Sequence, residues 1–318
     1  MMKIVMLEPI GITEEELNKY RNRLEEAGHE LITYGDRVED EDVLIERARE
    51  AEILIITNLP LSRRVIEACP DLKMISVAFT GVDHIDMEAC REKNILVSNS
   101  SGYSNQSVAE LVFAMIISLL RNVKACDELA RKGGTGAGLY GNELAGKVLG
   151  IVGTGAIGLR VAEIAKAFGC KLLGYATHER KAALELGVKY VSLPELMQES
   201  DIVSLHVPLL ESTRNMINRD MIALMKPTAI LINTARGPVV DNQALAEALN
   251  AGRIAGAGID VYEMEPPIPE DHPLVTAKNT ILTPHIAFAT AESFQKRAAI
   301  VFENIEKYLA GEPQNVMA

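Results

Sequence analysis

Three ionisable residues in the second half of the chain, Arg236, Glu265 and His285, each follow a short apolar segment that predicts a buried strand. An arginine fork can hold a carboxylate by two parallel hydrogen bonds and polarise an adjacent carbonyl. A histidine gives or takes a proton near neutral pH, and a neighbouring carboxylate favours its protonated form and fixes the ring. Each residue alone also fits a structural role, as a surface ion pair, a solvated acid or a packed histidine. Since open α/β sheets bind ligands beyond the carboxyl ends of their strands, the joint placement favours proton transfer to the carbonyl of a keto acid.

A glycine-rich turn, Gly153–Gly158, joins the apolar segment Val148–Val152 to a stretch with helical periodicity. In such a turn Gly153 permits a tight bend, Gly155 lets the backbone approach a pyrophosphate, and Gly158 lets helix and strand pack closely. The N–H groups and the positive dipole end of the helix would face the phosphates. The turn therefore predicts dinucleotide binding, with a purely structural strand-to-helix connection as the alternative.

Strand-like and helix-like segments alternate along the chain and begin again after a long apolar helix predicted over Gln106–Asn122. Such alternation predicts βαβ units and parallel sheets. We therefore expect an α/β fold of two Rossmann-like, doubly wound parallel-sheet domains with a cleft between them. Residues 1–101 plus 289–318 are the expected substrate (catalytic) domain, which is flavodoxin-like, and residues 102–288 the expected dinucleotide-binding domain.

The composition excludes several classes of partner. A net charge of −12 argues against nucleic acid and anionic membranes. No apolar run reaches the roughly 20 residues of a membrane span. The four cysteines have no paired spacing, so we expect neither a disulfide framework nor a metal site, as is typical of a protein of the reducing cytoplasm.

Six motifs occur in an order and spacing that are specific to one family. They are TGVDHID at 80–86, GNELAGK at 141–147, GTGAIG at 153–158, HVPL at 206–209, NTARG at 233–237 and TPHIA at 283–287. With these motifs the chain resembles, over nearly its whole length, the D-isomer-specific 2-hydroxyacid dehydrogenases, which include D-lactate, phosphoglycerate, glyoxylate and hydroxypyruvate enzymes.

The resemblance implies roles for the catalytic and substrate residues. Arg236 would bind the substrate carboxylate and carbonyl, His285 would be the acid/base, and Glu265 would be its partner. The remaining substrate contacts would be the backbone N–H groups of Thr80 and Gly81 and the side chains of Tyr103 and Leu59. For Tyr103 and Leu59 a role as ordinary core residues remains an alternative.

The resemblance also implies a set of residues around the cofactor. Asp260 would meet the nicotinamide carboxamide. The other expected cofactor contacts are Gly153, Thr154, Gly155, Ala156, Ile157, Gly158, Thr177, His178, Arg180, His206, Val207, Pro208, Thr213, Thr234, Ala235, Arg236, His285 and Ala287.

The segment after the second strand of the dinucleotide domain departs from the family pattern. NAD-preferring members usually carry an acid there that accepts hydrogen bonds from the adenosine ribose, and Ala176 occupies that position here. Without the carboxylate a 2′-phosphate is not repelled, and Thr177, His178 and Arg180 could bind it. We expect NAD or NADP, with NADP favoured, although Glu179 could point at the ribose instead.

The function that follows is an NAD(P)-dependent oxidoreductase that acts on the CH–OH group of D-2-hydroxy acids and works reversibly on small 2-keto acids such as glyoxylate, hydroxypyruvate or pyruvate. A D-3-phosphoglycerate dehydrogenase is the alternative, because Arg63 and Arg64 could recognise a phosphate. A non-catalytic NAD(H)-sensing module like the family's corepressor relatives is the rival of a different class. The family also implies a homodimer formed through the dinucleotide domain.

Overall fold

The computed structural model describes residues 1–318 and divides into two compact units. The first unit comprises residues 1–104 and 289–318, and the second comprises residues 105–288. The sequence placed the first boundary after residue 101 and the second after residue 288. Both units are parallel α/β structures, which confirms the predicted fold class. The assignment of the units to substrate and cofactor stays a prediction.

The first unit is built on a five-stranded sheet in the order β2-β1-β3-β4-β5, with every pair parallel. This is the flavodoxin-like order. Its strands are β1 (Lys3–Met6), β2 (Glu30–Thr33), β3 (Ile53–Ile56), β4 (Met74–Val77) and β5 (Leu96–Ser98). Its helices are α1 (Glu14–Glu26), α2 (Glu41–Ala48), α3 (Arg63–Glu67), α4 (Met87–Glu92) and α12 (Ala291–Leu309).

Local sequence explains these elements. The central strands β3 and β4 are buried along their whole length, as expected of strands covered on both faces. Thr13 and Glu16 form a reciprocal capping box that starts α1. Helix α12 brings the end of the chain back onto this sheet, where Phe302 is buried and its ring stacks on Tyr20.

The second unit is built on a seven-stranded parallel sheet in the order β12-β11-β10-β9-β6-β7-β8. Its strands are β6 (Val148–Val152), β7 (Lys171–Tyr175), β8 (Lys189–Tyr190), β9 (Ile202–Leu205), β10 (Ile230–Asn233), β11 (Gly256–Ile259) and β12 (Thr280–Leu282). Its helices are α5 (Asn105–Leu120), α6 (Val123–Arg131), α7 (Ala156–Ala167), α8 (Lys181–Leu186), α9 (Leu193–Glu199), α10 (Arg219–Leu224) and α11 (Asn242–Asn250). The strand order reverses between β6 and β9, and a doubly wound sheet binds its ligand at the carboxyl ends of such a pair.

None of the helices combines the length and the apolar character that crossing a membrane requires.

Candidate active site

The turn between β6 and α7 needs glycine at two positions. Gly153 has a φ of +97°, and a Cβ there would lie 2.6 Å from the carbonyl oxygen of His206. A Cβ on Gly158 would overlap the carbonyl oxygen of Gly153, so only glycine lets the helix start this close to the strand. Gly155, in contrast, faces open space. The tight bend at Gly153 and the close packing at Gly158 are as predicted, whereas the approach of a pyrophosphate to Gly155 stays a prediction.

The same turn fits a dinucleotide. Gly155 is the N-cap of α7 and provides no side-chain cap, so the N–H groups of the first helical turn are not satisfied by a capping side chain. Near the end of β10, the Thr234 hydroxyl is buried without a hydrogen-bond partner. A helix N-terminus over open space after β6 and an unsatisfied buried hydroxyl after β10, two strands away in the same sheet, suit a pyrophosphate and its attached nucleosides.

Arg236 is presented by a tightly held turn at the end of β10. The buried Asn233 side chain donates to the Arg236 carbonyl at 3.0 Å and accepts from the Ala235 N–H at 3.0 Å. The Arg236 guanidinium donates to the Ala235 carbonyl at 2.8 Å. The next residue, Gly237, packs so closely on the backbone of Tyr262 that a Cβ would overlap it. The backbone that follows Arg236 is therefore packed against the segment that leads to Glu265.

His285 and Glu265 form an ion-pair geometry, with 2.7 Å between Nδ1 of the histidine and Oε2 of the glutamate. The His285 side chain is 10% exposed and the Glu265 side chain 47% exposed. The rings of His285 and Phe288 pack edge to face, with 5.2 Å between their centroids. Because Nδ1 is hydrogen-bonded to the Glu265 carboxylate, Nε2 is the nitrogen that can exchange a proton with a substrate.

The fully buried carboxylate of Asp260 holds the loop that carries His285. Its Oδ1 accepts from the Thr283 hydroxyl at 2.6 Å and from the Ile286 N–H at 2.8 Å, and its Oδ2 accepts from the Ala287 N–H at 2.9 Å. The Asp260 carbonyl also accepts from the His285 N–H at 2.8 Å. Contact of Asp260 with a nicotinamide carboxamide stays a prediction.

The remaining predicted cofactor residues lie at the carboxyl ends of β7 and β9. The Thr213 hydroxyl donates to the Pro208 carbonyl at 2.6 Å and accepts from the Leu210 N–H at 2.8 Å, which closes the loop after β9. His206 lies 2.8 Å from the Ser204 hydroxyl, and burial lowers the pKa of His206 to about 3, so its ring is neutral at neutral pH. Thr177, His178 and Arg180 are exposed on the loop after β7.

The predicted substrate residues Leu59, Thr80, Gly81 and Tyr103 belong to the first unit. Leu59 and Tyr103 are buried, whereas Thr80 and Gly81 are half-buried. The Asn99 side chain donates to the Thr80 carbonyl at 2.7 Å and so fixes that loop. Their substrate roles stay predictions.

Comparison with known proteins identifies the family. Residues 113–287 match the model of the D-isomer specific 2-hydroxyacid dehydrogenase NAD binding domain. The chain belongs to the D-isomer specific 2-hydroxyacid dehydrogenases. The predicted family, and with it the expectation of an NAD- or NADP-dependent oxidoreductase, is confirmed.

Three similar proteins illustrate the range of this dehydrogenase family. The chain is 41% identical over 283 residues to a glyoxylate reductase of Korarchaeum cryptofilum, covering 86% of this chain and 85% of that protein. It is 40% identical over 316 residues to a D-3-phosphoglycerate dehydrogenase of Methanocaldococcus jannaschii, covering 98% of this chain but only 58% of that protein. A solved acyclic imino acid reductase, Bsp5, in complex with NADPH and D-Arg superposes with a TM-score of 0.91 at 34% identity and full coverage of both chains.

Two groups of residues around the candidate sites of this dehydrogenase were missed by sequence reasoning. In the second unit, Glu263 accepts from Asn242 Nδ2 at 2.8 Å and lies 2.9 Å from His272 Nε2, which ties the segment before Glu265 to α11. His272 Nδ1 accepts from the Leu274 N–H at 3.3 Å, so Nε2 carries the proton. Burial alone would raise the pKa of Glu263, but the His272 and Asn242 donors lower it below its usual value.

In the first unit the buried Glu8 organises the loop that contains Leu59. One oxygen accepts from the N–H groups of Thr57 at 2.7 Å and Leu59 at 3.0 Å, and the other lies 2.6 Å from Arg37. An acid directly after a first apolar strand was the one available sequence signal. Its partners lie 29, 49 and 51 residues away along the chain and could not be inferred from spacing.

Proposed function

We propose that the chain reversibly reduces a small, unphosphorylated 2-keto acid such as glyoxylate, hydroxypyruvate or pyruvate to the D-2-hydroxy acid. The 2.7 Å contact between His285 Nδ1 and Glu265 Oε2 is the observation that carries the proposal. It supplies a fixed proton donor in the unit that also holds Arg236 and the glycine turn. A sensor that only binds the dinucleotide needs no such pair.

Arg236, His285 and Glu265 have separate roles in the proposed reaction. Arg236 holds the substrate carboxylate and polarises the carbonyl, since a guanidinium stays charged at all relevant pH values. When bound, the reduced nicotinamide supplies a hydride to the carbonyl carbon. The C=O π electrons move to oxygen, which takes the proton of His285 Nε2 and leaves a neutral imidazole. Glu265 stabilises the imidazolium before transfer and keeps Nε2 aimed at the oxygen.

The surroundings of Arg63 and Arg64 argue against a phosphorylated substrate. Arg63 lies 2.5 Å from Glu92 and 3.6 Å from Asp86, and Arg64 is paired with Glu41 and Asp42. Guanidinium groups already paired with carboxylates are poor candidates for phosphate recognition. The D-3-phosphoglycerate alternative therefore has no free pair of arginines at this position to support it.

A substrate panel tests the proposal. Oxidation of NADH and of NADPH is followed with glyoxylate, hydroxypyruvate, pyruvate and 3-phosphohydroxypyruvate, each with and without methylamine to form the imine. We expect turnover of one or two unphosphorylated acids without the amine. Turnover only with the amine would indicate an imino acid substrate, and binding of either dinucleotide without any turnover would support the sensor.

The variant His285→Gln checks the proton donor. Its kcat/KM should fall about 10²- to 10⁴-fold, the contribution usual for general acid catalysis, while it still binds NADH. His29→Gln, in the first unit, is the matched control and should keep the parent activity. Activity of His285→Gln near that of the control would refute the assignment.

We further infer a homodimer formed through the second unit and a location in the cytoplasm, with no nucleic-acid or membrane partner. Helix α6 buries none of its residues, although it carries apolar residues on one side, which supports a partner surface there. The acidic net charge supports the exclusion of nucleic acid. Preference for NADP is supported by Ala176 at the usual acid position.

A further inference from the structure

The hydroxyl of Tyr190 bridges two segments that the cofactor proposal uses separately. It lies 2.6 Å from the Thr154 hydroxyl in the glycine turn, and it accepts from the Arg180 N–H at 3.0 Å in the loop after β7. The first segment is placed to bind the pyrophosphate and the second to bind the adenosine ribose. We propose that Tyr190 is the positioning residue that sets discrimination between NADPH and NADH, an inference that rests on the proposed cofactor site.

The sheet register holds Tyr190 where it can make this bridge. Tyr190 pairs with Gly174 in the parallel ladder between β7 and β8, and the Val191 N–H donates to the Gly174 carbonyl at 3.0 Å. A Cβ on Gly174 would lie 2.5 Å from the Val188 side chain, 3.4 Å from the Thr154 side chain and 3.5 Å from the Tyr190 ring. Glycine at this position therefore lets Val188 pack on the strand, with Thr154 and Tyr190 at contact distance around it. The pairing of β8 with β7 thus holds the Tyr190 backbone in place and directs its ring and hydroxyl toward Thr154 and the loop after β7.

The Tyr190 hydroxyl anchors the loop after β7. Thr177, His178 and Arg180 are exposed at the loop tip, so no surrounding core immobilises them. The bond from the Arg180 N–H to Tyr190 anchors the backbone at the N-cap of α8. Side chains that bind a 2′-phosphate must be held in a defined geometry, because hydrogen bonds to phosphate oxygens weaken steeply when their distance and angle depart from the optimum. Thr154, at the other end of the bridge, is 2% exposed and cannot move to follow the loop.

The Tyr190 hydroxyl uses both its acceptor and its donor in the bridge. The tyrosine oxygen accepts the Arg180 N–H and can donate its own hydrogen to Thr154. Removing the hydroxyl releases the loop backbone to solvent and leaves the buried Thr154 hydroxyl without this partner. It leaves Arg236, Glu265 and His285 untouched.

Ligands that lack the nicotinamide isolate the ribose subsite. Isothermal titration calorimetry with ADP-ribose and with 2′-phospho-ADP-ribose gives two dissociation constants for the parent and for Tyr190→Phe. We expect the ratio of the two constants to change about three- to tenfold, the effect of one lost hydrogen bond. Tyr308→Phe removes the hydroxyl of a tyrosine that is half-buried, as Tyr190 is, but belongs to the first unit, and it should keep the parent ratio.

A double-mutant cycle tests whether the effect passes through the bridge. Thr154→Val should shift the same ratio, and adding Tyr190→Phe to it should add little, since both variants break one connection. Thermal unfolding of every variant shows whether the fold is kept.

An unchanged ratio in a folded Tyr190→Phe variant, or an equal loss of affinity for both ligands, would refute the role. Failure of both ligands to bind the parent chain would refute the cofactor subsite itself. Neither measurement uses a keto acid, so an error in the substrate proposal would show only in the turnover panel.

Discussion

His285 adopts a left-handed backbone conformation with a φ of +56°, which is uncommon for a residue with a Cβ. The neighbouring bonds explain how it is maintained, since three donors from residues 283–287 converge on the Asp260 carboxylate. Local strain of this kind persists where the surroundings over-determine it, and it is concentrated at functional sites. We therefore propose that Asp260 acts on the reaction through the loop that carries the imidazole.

Replacing Asp260 with asparagine separates this role from a contact with the cofactor. An amide group placed at Oδ2 would face the Ala287 N–H with a donor, so the loop loses a bond and gains a repulsion. We expect a loss of about 1–3 kcal/mol in unfolding free energy and a fall in kcat with little change in the dissociation constant of NADH. Urea unfolding, steady-state kinetics and NADH titration measure these quantities.

Asp271→Asn, at an exposed position in the same unit, is the control and should match the parent in all three measurements. A large rise in the NADH dissociation constant of Asp260→Asn with an unchanged kcat would instead support direct contact with the nicotinamide carboxamide.

At the scale of elements, Asp201, the residue before β9, connects the starts of β6, β9 and β10. Its Oδ2 accepts from the Val148 N–H at 2.8 Å, and Oδ1 lies 2.9 Å from Lys226 Nζ. Burial alone would raise the pKa of Asp201, but the Val148 donor and Lys226 outweigh it and lower the pKa below its usual value. Its backbone also bonds to Val148 and to Ile230 at the start of β10. The carboxylate therefore stabilises the sheet in its ionised form.

The lowered pKa of Asp201 determines how the stability of the fold changes with pH. A group whose pKa is lower in the folded state stabilises the fold above its unfolded pKa, and this contribution is lost as pH falls through the folded pKa. Asp201→Asn should therefore cost about 1–2 kcal/mol at pH 7 and progressively less as the pH falls below about 4. Urea unfolding of parent and variant across this range measures the difference. A difference that stayed constant down to the lowest accessible pH would mean that the charge is not involved.

The strands that sequence predicts well are those with apolar runs of four or five residues, such as β6 and β10. β8 is only two residues long, and alternation over two residues cannot be distinguished from a loop. Tyr190 lies on that strand, so its bridge to Thr154 and Arg180 had no sequence signal. The same holds for Glu263 and His272, because only tertiary packing brings their partners together. The glycine turn and the three strand-end residues were accessible because their chemistry is local to a strand end.

At the scale of the whole molecule, one surface of the second unit lacks a covering element. Val123 on α6 is 47% exposed, and Tyr140 is 87% exposed. A cavity of about 470 Å³ lies beside them, lined in part by Leu119, Ala277 and Ile281. Exposed apolar residues next to an open cavity mark protein interaction sites more often than chance. A second copy of the chain is the occupant that the family membership favours.

Val123→Glu combined with Ala130→Glu tests this assembly. The two residues lie seven positions apart on the exposed side of α6, so both new carboxylates would have to be desolvated in an interface. Light scattering at micromolar concentration should give twice 34.7 kDa for the parent and 34.7 kDa for the variant. Lys181→Glu changes the net charge by the same amount on the exposed helix α8 and should keep the parent mass. A monomeric parent would refute the homodimer, and a dimeric double variant would place the interface on another surface.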